Sequence, residues 1–201
     1  MSAALNMTDR SNSTKLNPRV FVVVLLIVAS VMLFAGLTSA FVVRHAEGNW
    51  LNFELPQQFI NSTVTVLASS ITMVWAYYSA KRDNILNTQL ALGLTLVGGL
   101  AFVYYQYQGF IDLGERGIYF SPPNGSEGGL VSGSFVIALV ALHLLHLLGG
   151  LIFVTVVFIK SLLLKVHKTN MLSIRMCNTY WHFVGILWIY LYMFLYFAPQ
   201  F

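Results

Sequence analysis

Three histidines of this chain lie inside apolar stretches, where polar side chains are rare. His143 and His146 belong to ALHLLHLLGG (residues 141–150), and His182 belongs to YWHFVGILW (residues 180–188). Because hydrocarbon disfavours polar side chains, histidines kept at such positions indicate that the protein requires them. Such imidazoles could bind copper as a set of three, or haem as one from each of two helices. They could also relay protons or form hydrogen bonds between helices.

The surrounding sequence argues against a metal or haem site. A metal-bound histidine usually donates its second ring N–H to a carboxylate or a carbonyl. The apolar stretches contain no Asp or Glu at matching depth. The sequence therefore predicts that this chain binds no cofactor, and that its histidines form hydrogen bonds to neighbouring helices, water or lipid headgroups. A small haem-binding cytochrome and a proton-coupled transporter remain alternatives, although the spans lack the interrupted pattern of transporters.

The elements that must position these histidines are membrane-spanning helices. Hydrophobic residues make up 57% of the 201 residues and charged residues 9%, with a mean hydropathy of +0.73. Soluble domains carry about a quarter charged residues. The apolar runs cover about 20–43, 57–80, 85–107, 130–164 and 176–198. The first, 24 residues without a charge, would form a helix of roughly 36 Å, which is enough to cross the hydrocarbon core of about 30 Å.

The pattern thus predicts an all-α membrane protein, in which one domain of five transmembrane helices (20–198) follows a polar tail (1–19). The loop over 109–129 contains Pro122, Pro123 and several glycines and is expected to be irregular and exposed. The first span is not expected to be a cleaved signal. The small residues Gly93, Gly98 and Gly99 are expected to allow close helix approach. No nucleic-acid partner is indicated, because the basic residues are spread between apolar runs.

The positions of the basic residues predict the orientation of the chain. With the amino terminus in the cytoplasm, nine of the eleven Lys and Arg residues fall on the cytoplasmic side and two, Arg44 and Arg116, on the other. Such an excess is typical of cytoplasmic segments, so the carboxyl terminus is expected in the periplasm. The candidates for binding lipid headgroups are Arg19, Lys81, Arg82 and Arg175.

Several motifs together resemble subunit III of the haem–copper oxidases. The signature includes YWHFV at 180–184 followed by Trp188, HLLH at 143–146 followed by two glycines, SVMLFAG at 30–36, NST at 61–63, SSIT at 69–72, and Gln106. These motifs occur in the family's order and cover nearly the whole chain from Val20 to Phe197. The resemblance marks as structural or lipid-contacting residues Asn61, Ser69, Ser70, His143, His146, Tyr180, Trp181, His182 and Trp188.

The resemblance implies a subunit without chemistry of its own in an oxygen-reducing complex, a cytochrome c oxidase of the bacterial inner membrane. Haem and copper are then expected in the partner subunits. Its partners would be the catalytic subunit I, other oxidase subunits, possible supercomplex components, and phospholipid held in a cleft between the first two helices and the rest. It would support proton uptake and stability during turnover. A subunit-III-like protein of a quinol oxidase or a nitric oxide reductase is the main alternative.

The chain departs from this family at its characteristic carboxylates. The glutamate of the family's first helix falls on Ser30, the Asp after Trp-His-Phe-Val falls on Gly185, and the Glu of Gln-x-x-Glu falls on Gly109. Arg175 occupies a position where an acid is usual. Lipid binding and scaffolding are therefore expected to persist, whereas functions that need a buried carboxylate are not.

Overall fold

Five helices make up the part of the chain that the structure describes. The computed structural model describes residues 17–46, 56–116, 127–164, 166 and 170–197, with backbone only for 127–132. The helices are α1 (Pro18–His45), α2 (Gln57–Lys81), α3 (Ile85–Glu115), α4 (Glu127–Leu162) and α5 (Leu172–Phe197). Each is long and apolar enough to span a membrane. The prediction of an all-α protein with five membrane-spanning helices is confirmed.

Local sequence explains where α1 and α3 begin and where the chain turns after α2. Asn17 caps α1 by accepting a hydrogen bond from the Arg19 N–H at 3.3 Å, with Pro18 at the first helical position. Asn84 caps α3 by accepting from the Asn87 N–H at 3.2 Å. Between α2 and α3, Asp83 adopts φ 59°, a left-handed conformation that Asp tolerates better than most residues. The short turn over residues 82–84 thus joins α2 and α3 as a tight helical hairpin.

Two of the predicted loop and helix boundaries are wrong. The expected irregular loop over 109–129 is helical at both ends, because α3 continues to Glu115 and α4 begins at Glu127. Leu113 is fully buried and Gly109 is packed under the Phe59 ring of α2. This packing keeps α3 helical beyond its apolar run. The fifth helix begins at Leu172 instead of about 176, and its first turn buries Ile174 completely.

Side-chain contacts define the directions of the helices. Gln106 meets Ser62 and Thr95 meets Thr72, so α3 runs antiparallel to α2. Phe102 packs on His143 while Gln89 reaches the Ser161 carbonyl, so α4 runs antiparallel to α3. In the same way α5 is antiparallel to α2, through Trp188–Thr63 and Trp181–Ser69, and parallel to α1, through Tyr190–Thr38 and Phe194–Phe41.

Helices α2 to α5 form the packed bundle, and α1 is the peripheral helix. Among the described residues α2 packs mainly on α3 and also on α5, whereas α1 makes its few contacts with α4 and α5. A cleft between a pair of first helices and the remainder, as the resemblance implied, therefore does not fit this arrangement. The helix that packs loosely against the rest of the described bundle is α1 alone.

The up-and-down topology places the described basic residues unevenly. The starts of α1, α3 and α5 and the ends of α2 and α4 lie at one end of the bundle. This end carries Arg19, Lys81, Arg82, Lys160 and Arg175. The opposite end carries Arg44 and Arg116. That segregation is the pattern on which the predicted cytoplasmic amino terminus depends.

Candidate functional site

Hydroxyl groups on the buried face of α2 hold the tryptophans of α5. The Trp188 Nε1–H donates to Thr63 Oγ1 at 2.9 Å, and the Trp181 Nε1–H donates to Ser69 Oγ at 3.2 Å. Both hydroxyls also donate to carbonyls of their own helix, Thr63 to Phe59 and Ser69 to Val66. Each hydroxyl thus donates its single hydrogen to a carbonyl of α2 and accepts a hydrogen bond from an indole N–H, which can only donate.

Two further polar contacts join α2 to α3. The Gln106 amide Nε2 donates to Ser62 Oγ at 2.9 Å, and Thr72 Oγ1 lies 2.8 Å from Thr95 Oγ1. Sequence reasoning selected Asn61 in the NST motif, but Asn61 is exposed and its neighbours Ser62 and Thr63 make the interhelical bonds. The signal that identifies them is their register. Phe59, Ser62, Val66, Ser69 and Met73 recur every three or four residues, which is the spacing of one buried helical face.

The two glycines after HLLH make room for the aromatic residues of α5. A Cβ at Gly150 would lie 3.3 Å from the Tyr180 ring and 3.4 Å from the Trp181 ring, and one at Gly149 would lie 3.7 Å from the Tyr180 hydroxyl. That hydroxyl donates to the backbone carbonyl of His146 at 3.1 Å. The HLLH-Gly-Gly and YWHFV motifs of the family resemblance are therefore halves of one α4–α5 contact.

Two of the three histidines bind their own helices. His146 Nδ1 lies 2.8 Å from the Leu142 carbonyl, and His182 Nδ1 lies 2.8 Å from the Asn178 carbonyl. Since a carbonyl only accepts, Nδ1 carries the hydrogen in both rings. Bonding of the histidines to neighbouring helices, water or lipid headgroups stays a prediction, and a polar bond between α4 and α5 comes from the Tyr180 hydroxyl, which donates to the His146 carbonyl. The His146 ring instead packs edge-on against Phe34 of α1 at 5.4 Å.

His143 is the buried histidine, and its surroundings are aromatic. Its side chain is 0% exposed, and its ring centroid lies 5.1 Å from that of Trp188 and 5.9 Å from that of Phe102. Neither ring nitrogen has a hydrogen-bonding partner among the residues that the structure describes. The Gln106 Oε1 atom, on the helix that carries Phe102, is also buried without a partner there.

The structure does not bring the histidines together as a set of metal ligands. Across the described ranges, no group of three or more His, Cys, Asp or Glu side chains has the proximity that a metal ion needs. The rings of His146 and His143 face different neighbours, Phe34 of α1 and Trp188 of α5. The polar interior of the bundle consists of hydroxyl, amide, indole and imidazole groups.

The positions that lack the family's carboxylates are filled in other ways. The buried Ser30 hydroxyl donates to the Leu26 carbonyl at 2.7 Å. At Gly109 the space is occupied by the Phe59 ring, and at Gly185 a Cβ would lie 3.4 Å from Ser70 Oγ. Ser69 and Ser70 thus belong to interhelical contacts, and the α2 face that they form is turned toward α3 and α5 rather than toward lipid.

The four basic residues proposed to bind headgroups are exposed. Arg19 and Arg175 lie in the first turns of α1 and α5, at the same end of the bundle. Lys81 and Arg82 lie at the end of α2. Arg82 lines a surface pocket of about 290 Å³ at the α2–α3 turn, together with Trp75, Tyr78 and Asn87. Exposed cations beside interfacial aromatic rings are typical of contact with lipid headgroups.

A second pocket separates α1 from α5. It has a volume of about 310 Å³, and its lining is almost entirely apolar: Val31, Phe34, Ala35, Phe183, Ile186, Leu187 and Tyr190. At the edge of the pocket, the hydroxyl of Tyr190 on α5 donates a hydrogen bond of 3.1 Å to Thr38 Oγ1 on α1. Both helices are of membrane-spanning length, and the pocket lies between them near the middle of α1.

Gly98 should be intolerant of even one added carbon. A Cβ there would lie 2.8 Å from the Ser69 Cβ and 3.6 Å from its Cα, so relief requires α2 and α3 to move apart. That movement would also displace Ser69, which accepts from Trp181. We expect Gly98→Ala to lower the free energy of unfolding by about 1–3 kcal/mol, measured by SDS titration of the purified chain in mixed micelles.

Gly93 on the same helix provides the control. A Cβ there would have its nearest neighbour, the Phe158 ring, at 3.8 Å, which is ordinary contact. Gly93→Ala should therefore leave the free energy of unfolding unchanged or raise it by up to about 1 kcal/mol, since Ala favours helix over Gly. Equal losses from the two variants would contradict a close α2–α3 approach at Gly98.

The chain is similar to known subunits of respiratory oxidases. A family model described as cytochrome c oxidase subunit III matches residues 12–199. Human cytochrome c oxidase subunit 3 is 29% identical over 187 residues, which cover 86% of this chain and 67% of the human protein. Cytochrome bo(3) ubiquinol oxidase subunit 3 of Buchnera aphidicola is 33% identical over 139 residues, 68% of this chain and 67% of that protein. Cytochrome c oxidase subunit 3 of Petromyzon marinus is 28% identical over 144 residues, covering 72% of this chain and 50% of that protein.

Proposed function

Since the chain belongs to the cytochrome c oxidase subunit III family, we propose that it is the non-catalytic third subunit of a terminal oxidase in a bacterial inner membrane. In this role it packs beside the catalytic subunit, which holds the haem and copper. It binds phospholipid and thereby keeps the partner's proton uptake intact during turnover. The amino terminus lies in the cytoplasm and the carboxyl terminus in the periplasm.

The observation that carries the lipid role is the apolar pocket between α1 and α5. Only about 11% of the most apolar part of α1 is buried inside the chain. The apolar surface of this helix must therefore be buried against its surroundings. A pocket lined by Phe34, Phe183 and Leu187 offers an acyl chain contacts on several sides instead of one. An acyl chain bound there would fill the space that the loose packing of α1 leaves open.

The basic end of the bundle suits the headgroup of the same lipid. Because α1 and α5 are parallel, Arg19 and Arg175 lie at the same end. The pocket begins at Val31 and Phe183, which are twelve and eight residues further along, roughly 18 and 12 Å of helix. A phospholipid could therefore place its chain in the pocket and an anionic headgroup near these arginines, at about 1 kcal/mol for each cation.

The uncharged interior supports a scaffold role over a proton-collecting one. Ser30, Gly109 and Gly185 lie where the family resemblance places carboxylates, and each is packed or hydrogen-bonded. At the basic end the described acid is Asp83, in the α2–α3 turn. With so few acids against several cations, this face would attract anionic lipid rather than protons.

Filling the pocket should remove the lipid. We expect Ala35→Phe to lower the phospholipid retained by the purified oxidase complex by about one molecule, because the new ring occupies the acyl site, and to shorten the catalytic lifetime. Lipid is measured by mass spectrometry of the extracted complex, and lifetime by oxygen consumption. Ala29→Phe places the same ring on an exposed position of α1 outside the pocket and should leave both unchanged.

Two results would count against the proposal. Full lipid retention in an assembled Ala35→Phe complex would place the lipid elsewhere, and a normal lifetime after lipid loss would separate lipid from turnover stability. The electron donor is a separate question, because the similar proteins include subunits of both cytochrome c and ubiquinol oxidases. Assaying the purified complex with reduced cytochrome c and with ubiquinol decides between them.

A further inference from the structure

The centre of the bundle contains three buried polar atoms that need hydrogen bonds. They are both ring nitrogens of His143 and the Oε1 atom of Gln106, none of which has a partner among the described residues. Both side chains are 0% exposed. Polar atoms buried in this way are nearly always bonded to protein or to ordered water, because leaving them dry forfeits their solvation.

These atoms belong to one neighbourhood around Trp188. The Trp188 ring lies 5.1 Å from His143 and 5.2 Å from Phe102, and its N–H binds Thr63. Gln106 binds Ser62, the residue next to Thr63. Gln106 is also one turn beyond Phe102 on α3, and the Phe102 ring packs against His143 at 5.9 Å.

The directions of the side chains bring the unpaired atoms closer. Helical side chains lean toward the amino terminus of their own helix. Gln106 therefore leans back toward the level of Phe102. His143, on the antiparallel α4, leans toward the level of Gln106. These general side-chain directions would bring the two polar groups toward each other across the α3–α4 interface.

From this arrangement we infer that α3 and α4 enclose an internal water site built by His143 and Gln106. A neutral imidazole offers one N–H donor and one acceptor, and an amide oxygen offers an acceptor. A water molecule accepts from the His143 N–H and donates to Gln106 Oε1, so it bonds two of the three unpaired atoms and provides the bridge that neither side chain makes directly. Buried waters typically make about three such bonds.

The water completes a chain of hydrogen bonds across three helices. It runs from His143 on α4 through the water to Gln106 on α3, and from the Gln106 amide to the Ser62 hydroxyl on α2, which donates to the Phe59 carbonyl. The ligand of the site is a neutral water molecule, and the site lies near the bond by which Trp188 joins α5 to α2. It lies apart from the α1–α5 pocket and does not depend on lipid.

Solid-state NMR of the full chain in phosphatidylcholine–phosphatidylglycerol bilayers tests the site. The chain is labelled with ¹⁵N-histidine, and polarisation is transferred from water protons to the ring nitrogens. The chain contains five histidines, so His143→Phe assigns the His143 signals by their loss. We expect a direct cross-peak from water to a His143 nitrogen at mixing times as short as those for exposed histidines.

Two variants on α3 test the contribution of Gln106. Gln106→Met keeps the length of the side chain but removes the amide, and it should reduce the water cross-peak of His143 at least twofold. Gln108→Met is the matched control, because Gln108 bonds instead to Tyr104 on the exposed side of α3, and it should leave the cross-peak unchanged.

The possible outcomes are distinct. A strong cross-peak in the unmodified chain that weakens only in Gln106→Met supports the site. A His143 signal without water contact overturns it, whether the ring is dry or bonded directly to Gln106. A cross-peak that is insensitive to Gln106→Met also overturns it as a shared site. If Gln106→Met fails to fold, a density peak within hydrogen-bonding distance of both residues in a high-resolution map of the oxidase decides the question.

Discussion

Introducing at position 109 the glutamate that the family resemblance places there should destabilise this chain rather than equip it for proton transfer. The Phe59 ring occupies the space that the Cβ of Gly109→Glu requires. Gly109 is also buried, so the carboxyl group would enter a packed interface between α2 and α3. Overpacking and an unpaired polar group each cost about 1–3 kcal/mol. Together these costs predict a loss of about 2–6 kcal/mol in the free energy of unfolding, measured by SDS titration in mixed micelles.

Two comparisons separate the ring overlap from the carboxylate. Phe59→Leu in the Gly109→Glu background should recover part of the loss, because it removes the obstructing ring edge. Gly185→Asp introduces the other missing acid where a Cβ meets Ser70 Oγ at 3.4 Å and Val66 at 3.6 Å, and it should cost less than Gly109→Glu. If Gly109→Glu were tolerated as well as Gly185→Asp, Phe59 would not be the substitute for the missing carboxylate.

The pairing of position 109 with Phe59 shows what the sequence alone could and could not predict. The five spans followed from apolar length, since hydrocarbon of known thickness requires helices of known length. The end of α3 did not follow, because the last two turns from Gly109 to Glu115 contain two glycines and two acids. Their helical state depends on Phe59 and on the burial of Leu113, which are contacts between distant parts of the chain.

The histidines illustrate the same limit at the site. Their spacing of three residues places His143 and His146 on one face of α4, roughly 60° apart. Which of them points inward depends on the rotation of α4 about its axis. That rotation is fixed by Gly149 and Gly150 receiving the rings of Tyr180 and Trp181, a contact that helical periodicity does not contain. His143 is consequently buried, whereas His146 meets Phe34 of α1.

The hydroxyl partners of the tryptophans were equally hidden in the sequence. Ser and Thr in a membrane helix commonly bond their own backbone, and the residues of α2 do so. Nothing in the NST motif distinguishes the exposed Asn61 from the buried Ser62 without the partners on α3 and α5. The resemblance identified Trp181 and Trp188, but which hydroxyls accept from their N–H groups depends on how α2 packs against α5.

Trp188 should be the most costly side chain to remove from this bundle. It is 0% exposed, and its ring lies between 5.1 and 5.8 Å from the rings of His143, Phe102 and Phe59. Its N–H provides one of the bonds that join α5 to α2. Trp188→Ala leaves a cavity at the meeting point of four helices. We expect it to lower the free energy of unfolding by about 3–5 kcal/mol, followed by far-ultraviolet circular dichroism during SDS titration.

Two further variants divide this loss into its parts. Trp188→Phe keeps an aromatic ring but cannot donate to Thr63, so it should lose about 0.6–2 kcal/mol, the range for a hydrogen bond between membrane helices. Trp75→Ala removes a tryptophan that is 42% exposed at the membrane-facing surface and should cost less than about 1 kcal/mol. If Trp188→Ala cost no more than Trp75→Ala, the aromatic cluster would contribute little to stability. The polar contacts of α2 with α3 and α5 would then contribute more to the stability of this level than the aromatic rings do.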